Sequence, residues 1–175
     1  ITNRGEIQMK TIDELMYYCE EPEPVGAVLL TGEWGCGKTY LIDNELKEAL
    51  KDKAHVIRIS LFGITTIEGI HMAIKQAWIS EYNKDKKWTG VVKKAKWGKE
   101  IAGKLDFLPE WIRGIATTDW LSFVEIKNVI EEKHVVLVFD DLERCCLDTV
   151  DVLGAINDYC ENQKFHTIIV ANQDK

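Results

Sequence analysis

The sequence predicts an α/β fold, doubly wound, with a mainly parallel sheet and helices on both faces. Three observations predict it. Short apolar runs that read as buried strands alternate with longer segments of helical periodicity. A glycine-rich turn, Gly32-Glu33-Trp34-Gly35-Cys36-Gly37-Lys38-Thr39, joins the first such strand to the helix after it. A later run, His134 to Phe139, ends in the paired carboxylates Asp140 and Asp141. Apolar residues running into acids describe a strand buried on both faces that delivers charge at its C-terminal edge, where open parallel sheets bind ligands.

The elements follow in chain order. Thr11-Ile12-Asp13-Glu14 has the form of a capping box, and Leu15, Met16 and Cys19 follow at helical spacing. That short helix closes at Glu21-Pro22-Glu23-Pro24, because the residue before a proline is pushed out of the helical region. Ala27-Val28-Leu29-Leu30 is the first strand, and Tyr40 to Leu50 is a helix with Leu41, Leu46 and Leu50 on one side. Ala54 to Phe62 is a second strand, broken by Gly63. Thr65-Thr66-Ile67-Glu68 is another capping box, opening a helix with the stripe Ile67, Ile70, Ala73, Ile74 and Ala77. After the acidic strand, Asp148 to Tyr159 forms a helix that carries Val152, Leu153 and Ile156 toward the core. Phe165 to Ala171 is the last strand.

The glycine-rich turn is a complete G-x-x-x-x-G-K-T phosphate loop in a strand–loop–helix setting, which turns a pattern match into a mechanism. Glycines 32, 35 and 37 let the backbone curl until its N–H groups and the positive end of the next helix face one point. The whole run Gly32, Glu33, Trp34, Gly35, Cys36, Gly37, Lys38, Thr39 and Tyr40 is the expected nucleotide-binding segment. Lys38 is expected on the β- and γ-phosphates and Thr39 on Mg²⁺, with Asp140 holding the metal through a water. Asp141 is the candidate for orienting or deprotonating the attacking water. One strand–helix pair separates the loop helix from the acidic strand, as in the larger division of P-loop NTPases, where an extra strand lies between the two Walker strands. In that arrangement Asn172, at the end of the last strand, is placed as a polar sensor of the γ-phosphate or the lytic water, the alternative being a turn cap. The catalytic set is therefore Asp141, Lys38 and Asn172, and the metal pair is Thr39 with Asp140. Met9 to Tyr18 either flank adenine or pack on the sheet. The tail Asn172-Gln173-Asp174-Lys175 lacks the N-K-x-D guanine pattern, which favours ATP over GTP.

Composition bounds the rest. The 175 residues, 46% hydrophobic and 29% charged, suffice for one soluble α/β domain with a sizeable core. The reading is one P-loop NTPase domain over 1–175, incomplete at its C-terminus, carrying a lysine- and tryptophan-rich helical insert at 81–119. Residues 84–104 hold eight lysines against Asp85 and Glu100, so a local excess of six positive charges sits in a chain of net charge −7. Such a segment can meet an anionic membrane surface or nucleic acid, but a solvated lysine face is the favoured reading. Five cysteines without C-x-x-C spacing argue for reduced thiols in a cytoplasmic setting, with the Cys145-Cys146 pair read as buried. No apolar run approaches a membrane span.

Together Gly32 to Thr39, Ser60-Leu61-Phe62-Gly63 and Phe139-Asp140-Asp141-Leu142-Glu143-Arg144-Cys145 resemble the KAP family of P-loop ATPases. The resemblance implies an ATPase module of a larger protein, often bacterial and sometimes linked to phage exclusion. Many members carry membrane helices between the two Walker motifs, whereas the insert here is too charged to span a bilayer. Glu143 stands where the family usually has Asp. Arg144 matches the family's arginine and is open between pairing with Glu143 and acting in trans on a neighbouring subunit's nucleotide. The implied function is Mg²⁺-dependent ATP binding and hydrolysis that switches a larger assembly, possible partners being further domains of the chain and a homo-oligomer. The alternatives are an ATP-gated scaffold with little hydrolysis, or part of a motor on nucleic acid or a membrane surface.

Overall fold

A computed structural model describes residues 2–84 and 134–172. The chain divides into two compact units: residues 1–70 with 132–175, and residues 71–131. The expected insert falls in the second, and its residues 85–119 lie outside the described ones.

The first unit is a four-stranded sheet in which β1 (Val28–Gly32), β4 (His166–Asn172), β3 (His134–Asp140) and β2 (Ala54–Ser60) lie side by side in that order, all parallel. The last strand thus separates the two motif strands, β1 and β3, as the sequence predicts. β3 and β4 read as near-continuous apolar runs because both their faces are covered. On one face Leu15 and Cys19 of α1 (Thr2–Glu20) meet Leu41, Ile42, Leu46 and Leu50, over Val56, Val136, Val138, Ile168 and Val170. Toward the other face points Phe139, whose ring lies 6.4 Å from that of Tyr159.

The helix after the phosphate loop is interrupted. α2 (Lys38–Tyr40) passes into a π-helical stretch, Leu41–Leu46, and then α3 (Lys47–Leu50). Ile42, Leu46 and Leu50 follow ordinary i, i+4 helical spacing, whereas Leu41 lies five residues before Leu46, the spacing that i→i+5 bonds bring onto the same buried side.

Several boundaries move. α1 runs through the Thr11–Glu14 box, which therefore lies inside the helix rather than at its start, although the helix does stop at Glu20 before the prolines. Leu15 and Cys19 are core residues, and the Tyr18 hydroxyl donates to Gly26 O (2.7 Å) and accepts from Thr167 N (2.8 Å). Of the two readings for this helix, packing on the sheet is the one these residues realise. β2 ends at Ser60 rather than Phe62, where the chain turns toward Gly63 at φ 70°. α4 (Ile67–Lys84) is capped by Thr66, whose hydroxyl accepts from Gly69 N at 3.0 Å, one residue after the expected Thr65. Its Ile70 and Ile74 are buried but Ile67 is exposed. α5 (Thr149–Asn157) is capped by the Asp148 carboxylate on Val150 N at 2.8 Å. Val152 and Ile156 are buried as expected, whereas Leu153 is exposed. All five cysteines are free, and Cys146 is exposed, contrary to the buried reading. Among the described residues no helix is long and apolar enough to cross a membrane.

Candidate functional site

The parallel sheet brings the C-terminal ends of all four strands to one edge. Gly32 pairs in register with Asn172 and Ser60 with Asp140, so the phosphate loop, the acidic pair and the candidate sensor share that edge. A cleft of about 280 Å³ opens there, lined by Trp34, Gly35 and Gly37 to Tyr40 from the loop, Asp140, Asp141 and Glu143 from the end of β3, and Val170 to Asn172 from β4.

Backbone geometry favours glycine at Gly35, with φ 74°, and at Gly37, and close approach favours it at Gly32. Gly37 has φ 100° and leads directly into α2, a conformation that L side chains strongly disfavour. A Cβ on Gly32 would stand 2.8 Å from Cys36 Sγ. The loop closes with Cys36 N donating to Glu33 O at 3.3 Å and Leu41 N to Gly37 O at 2.9 Å.

Lys38 is fixed by three short hydrogen bonds. Its ammonium donates to Gly32 O at 2.7 Å, Glu33 O at 2.9 Å and Asn172 Oδ1 at 2.8 Å, with Cys36 Sγ at 3.7 Å. Gly32, Glu33 and Cys36 thus take part by holding Lys38 rather than by lining the cleft, while Trp34 and Tyr40 line it and remain exposed. Three acceptors exhaust the three protons of an ammonium, so the lysine waits over the loop with its charge already oriented. Asn172 is held in turn: Glu143 accepts from its backbone N at 3.2 Å and from its side-chain amide. That pairing turns Oδ1 toward Lys38 and links the end of β3, the end of β4 and the loop in one chain.

Thr39 and Asp140 meet as expected, with Thr39 Oγ1 donating to Asp140 Oδ2 at 3.3 Å. Asp140 is nearly buried and is also bound by Arg58 Nη1 at 2.8 Å. A carboxylate and a hydroxyl side by side on the cleft wall are hard oxygen donors, the set Mg²⁺ takes when phosphates and waters complete its shell. The residues therefore fit that ion. Among the described residues no cluster of three His, Cys, Asp or Glu side chains forms a protein-only metal cage.

Asp141 adopts a left-handed backbone, φ 63° and ψ 36°, uncommon for a residue with a side chain and tolerated best by Asp and Asn. Its Oδ2 accepts from Ser60 Oγ at 2.9 Å and its Oδ1 faces Arg144 Nη1 at 3.7 Å. Arg144 therefore pairs with Asp141, while Glu143 serves Asn172. The guanidinium also lies 4.1 Å from the Phe62 ring centroid and 5.6 Å from that of Trp34. The Ser60-Leu61-Phe62-Gly63 segment is stitched to this turn by Leu61 N on Asp140 O (2.8 Å) and Gly63 N on Arg144 O (3.1 Å).

Sequence reasoning reached Lys38, Thr39, Asp140, Asp141 and Asn172, and the fold brings all five to one edge. It missed Arg58 and Ser60 on β2 and gave Glu143 no partner but Arg144. Their signal lies in strand register, which sets Ser60 opposite Asp140.

A search of curated proteins found no match. Among solved structures, a chain from the Drosophila ORC bound to DNA is similar with a TM-score of 0.46 and 16% identity, over 99% of this chain and 38% of that one. The profile of the KAP family P-loop domain matches residues 9–175, nearly the whole chain and every residue of the cleft. The chain belongs to the KAP family, and this is a P-loop, nucleotide-binding domain of it.

Proposed function

We propose that this domain binds ATP with Mg²⁺ and hydrolyses it as the switch of a larger regulatory assembly, of the kind bacteria use in phage defence. The observation that carries the reading is the convergence of Lys38, Thr39, Asp140, Asp141 and Asn172 on one cleft, with Lys38 bound to Asn172 at 2.8 Å. On this reading Lys38 exchanges its loop carbonyls for phosphate oxygens, and Asn172 follows the change because it shares the lysine. Thr39 and Asp140 hold the metal, which when bound neutralises charge on the β- and γ-phosphates. Asp141 orients the water. Phosphoryl transfer of this kind depends on positioning and electrostatics rather than covalent chemistry, so the state of Asp141 sets the rate. Further domains of the chain and copies of itself are the proposed partners, and the cytoplasm the proposed setting.

A second reading, an ATP-gated scaffold with little turnover, draws support from Asp141, both of whose oxygens are engaged by Ser60 and Arg144. Calorimetric titration with Mg-ATP and Mg-GTP, followed by turnover at several protein concentrations, tests both. Tight ATP binding with steady turnover supports the ATPase. Binding with turnover near zero at every concentration supports the scaffold, and no binding to either nucleotide overturns both.

A further inference from the structure

Arg58 belongs to neither nucleotide motif, yet it makes a closer contact to Asp140 than Thr39 does. It lies on β2 two residues beyond Val56, as Asp140 lies on β3 two residues beyond Val138, so strand alternation sends both side chains to one face. Arg58 Nη1 reaches Asp140 Oδ2 at 2.8 Å, the same oxygen that accepts from Thr39 at 3.3 Å. The other oxygen, Oδ1, accepts from Asp141 N at 2.9 Å. Arg58 is itself held from behind: its Nε faces Asp43 Oδ2 at 3.3 Å, and Asp43 Oδ1 faces Lys47 Nζ at 3.1 Å. Asp43 sits in the π-helical stretch after the phosphate loop, so the network ties β2, β3 and that helix together.

We infer that Arg58 is the resident counter-ion of Asp140: it holds the carboxylate aimed and charge-balanced in the nucleotide-free protein, and so makes divalent-metal binding conditional on nucleotide. The inference rests on the proposal above, in which Asp140 serves the metal. A buried carboxylate without a partner is strongly disfavoured, and a guanidinium held by its own ion pair with Asp43 at 3.3 Å supplies the partner. A free dication drawn to Asp140 meets that positive charge and finds both carboxylate oxygens taken. A metal arriving with a triphosphate brings its own compensating charge and most of its ligands, so it needs Asp140 only as an outer contact. Asp140 is only 7% exposed, so water cannot stand in for such a partner.

The test is Mn²⁺ binding to the nucleotide-free protein, read from the paramagnetic resonance signal of free Mn²⁺. Wild type and Arg58→Lys, which keeps the cation, are expected to take up no Mn²⁺ below about 1 mM. Arg58→Gln is expected to gain one site at least tenfold tighter, and adding Asp140→Asn to it should remove that site. Equal Mn²⁺ binding by wild type and Arg58→Gln would overturn the inference, as would a gained site that survives Asp140→Asn. If Arg58→Gln does not fold, the double variant decides: folding once both charges are gone supports the counter-ion role, and failure to fold overturns it. Mg-ATP titration of the wild type, run beside these, reads the nucleotide proposal separately from the Mn²⁺ result.

Discussion

At the scale of single residues, the site separates holding phosphate from handling water. Lys38 has its three protons on Gly32 O, Glu33 O and Asn172 Oδ1 and lies outside the buried apolar core. Lys38→Ala is therefore expected to leave the fold intact and weaken Mg-ATP binding by roughly 10- to 100-fold for each charge-assisted hydrogen bond lost. Calorimetry on the folded variant checks it, and wild-type affinity there would remove Lys38 from the phosphate site. Asp141→Asn should act differently. The amide keeps the size and the Ser60 contact but loses basicity, so binding should hold while turnover falls by about 10²- to 10⁴-fold. Full turnover in Asp141→Asn would pass the role to Glu143, the neighbouring carboxylate in the cleft. The cysteines divide by burial in the same way. Cys19 is a core residue and burial pushes its thiol up to about 12. Because it is the thiolate that attacks thiol reagents, buried Cys19 should stay unmodified near pH 8 while exposed Cys146 reacts. The unfolded thiol ionises first, near its ordinary value of 9.0, so the stability from keeping Cys19 neutral is full below that pH and is lost as pH rises toward 12. Mass spectrometry of peptides after brief labelling reads the first effect, and alkaline melting curves the second.

At the scale of elements, the helix after the phosphate loop joins core to site, because Leu41, Ile42, Leu46 and Leu50 are buried while Thr39 and Asp43 of the same run serve the cleft and its Arg58 network. Leu46→Ala removes a fully buried side chain at the heart of that packing and should cost about 2–5 kcal/mol in urea unfolding. A loss under about 1 kcal/mol would mean the helix is held by something other than its apolar face. Elements with one strong signal were legible to the residue, as in β3, where an apolar run is bounded by charge at Asp140. α1 was legible at its end and not its start, since the prolines act locally while a capping box cannot say whether a helix is already running through it. The π-helical stretch was not legible at all. It differs from an α-helix by one residue in hydrogen-bond spacing, and its one trace in the sequence, Leu41 five residues before Leu46, is too slight to mark it. Glu143, Ser60 and Arg58 escaped for a related reason: their partners lie on other strands, and only register reveals which residues share an edge.

At the scale of the whole molecule, charge is distributed unevenly, and this sets the last prediction. Residues 84–104 carry six excess positive charges, which leaves −13 on the rest of a chain of net charge −7. Every residue of the cleft belongs to the unit formed by residues 1–70 and 132–175, whereas the lysines from 84 to 104 belong to the unit 71–131. A positive field confined to one unit would draw anionic lipid or nucleic acid with an affinity that falls steeply with salt, because each neutralised phosphate releases counter-ions. A solvated lysine face behaves otherwise, since charges beyond about 8 Å are screened near 0.15 M salt. The expected result is the second. Liposome flotation with anionic lipid and a mobility-shift assay with DNA should both be blank at that salt for this chain. The variant with Lys93, Lys94, Lys96 and Lys99 replaced by Gln should match wild type in both and keep its Mg-ATP affinity, because the four positions lie outside both Walker motifs. Binding to either ligand that weakens with salt and disappears in the Gln variant would overturn this expectation and assign the basic segment a docking role. A loss of Mg-ATP affinity in the same variant would instead couple the two units, and would place part of the nucleotide response outside the sheet edge.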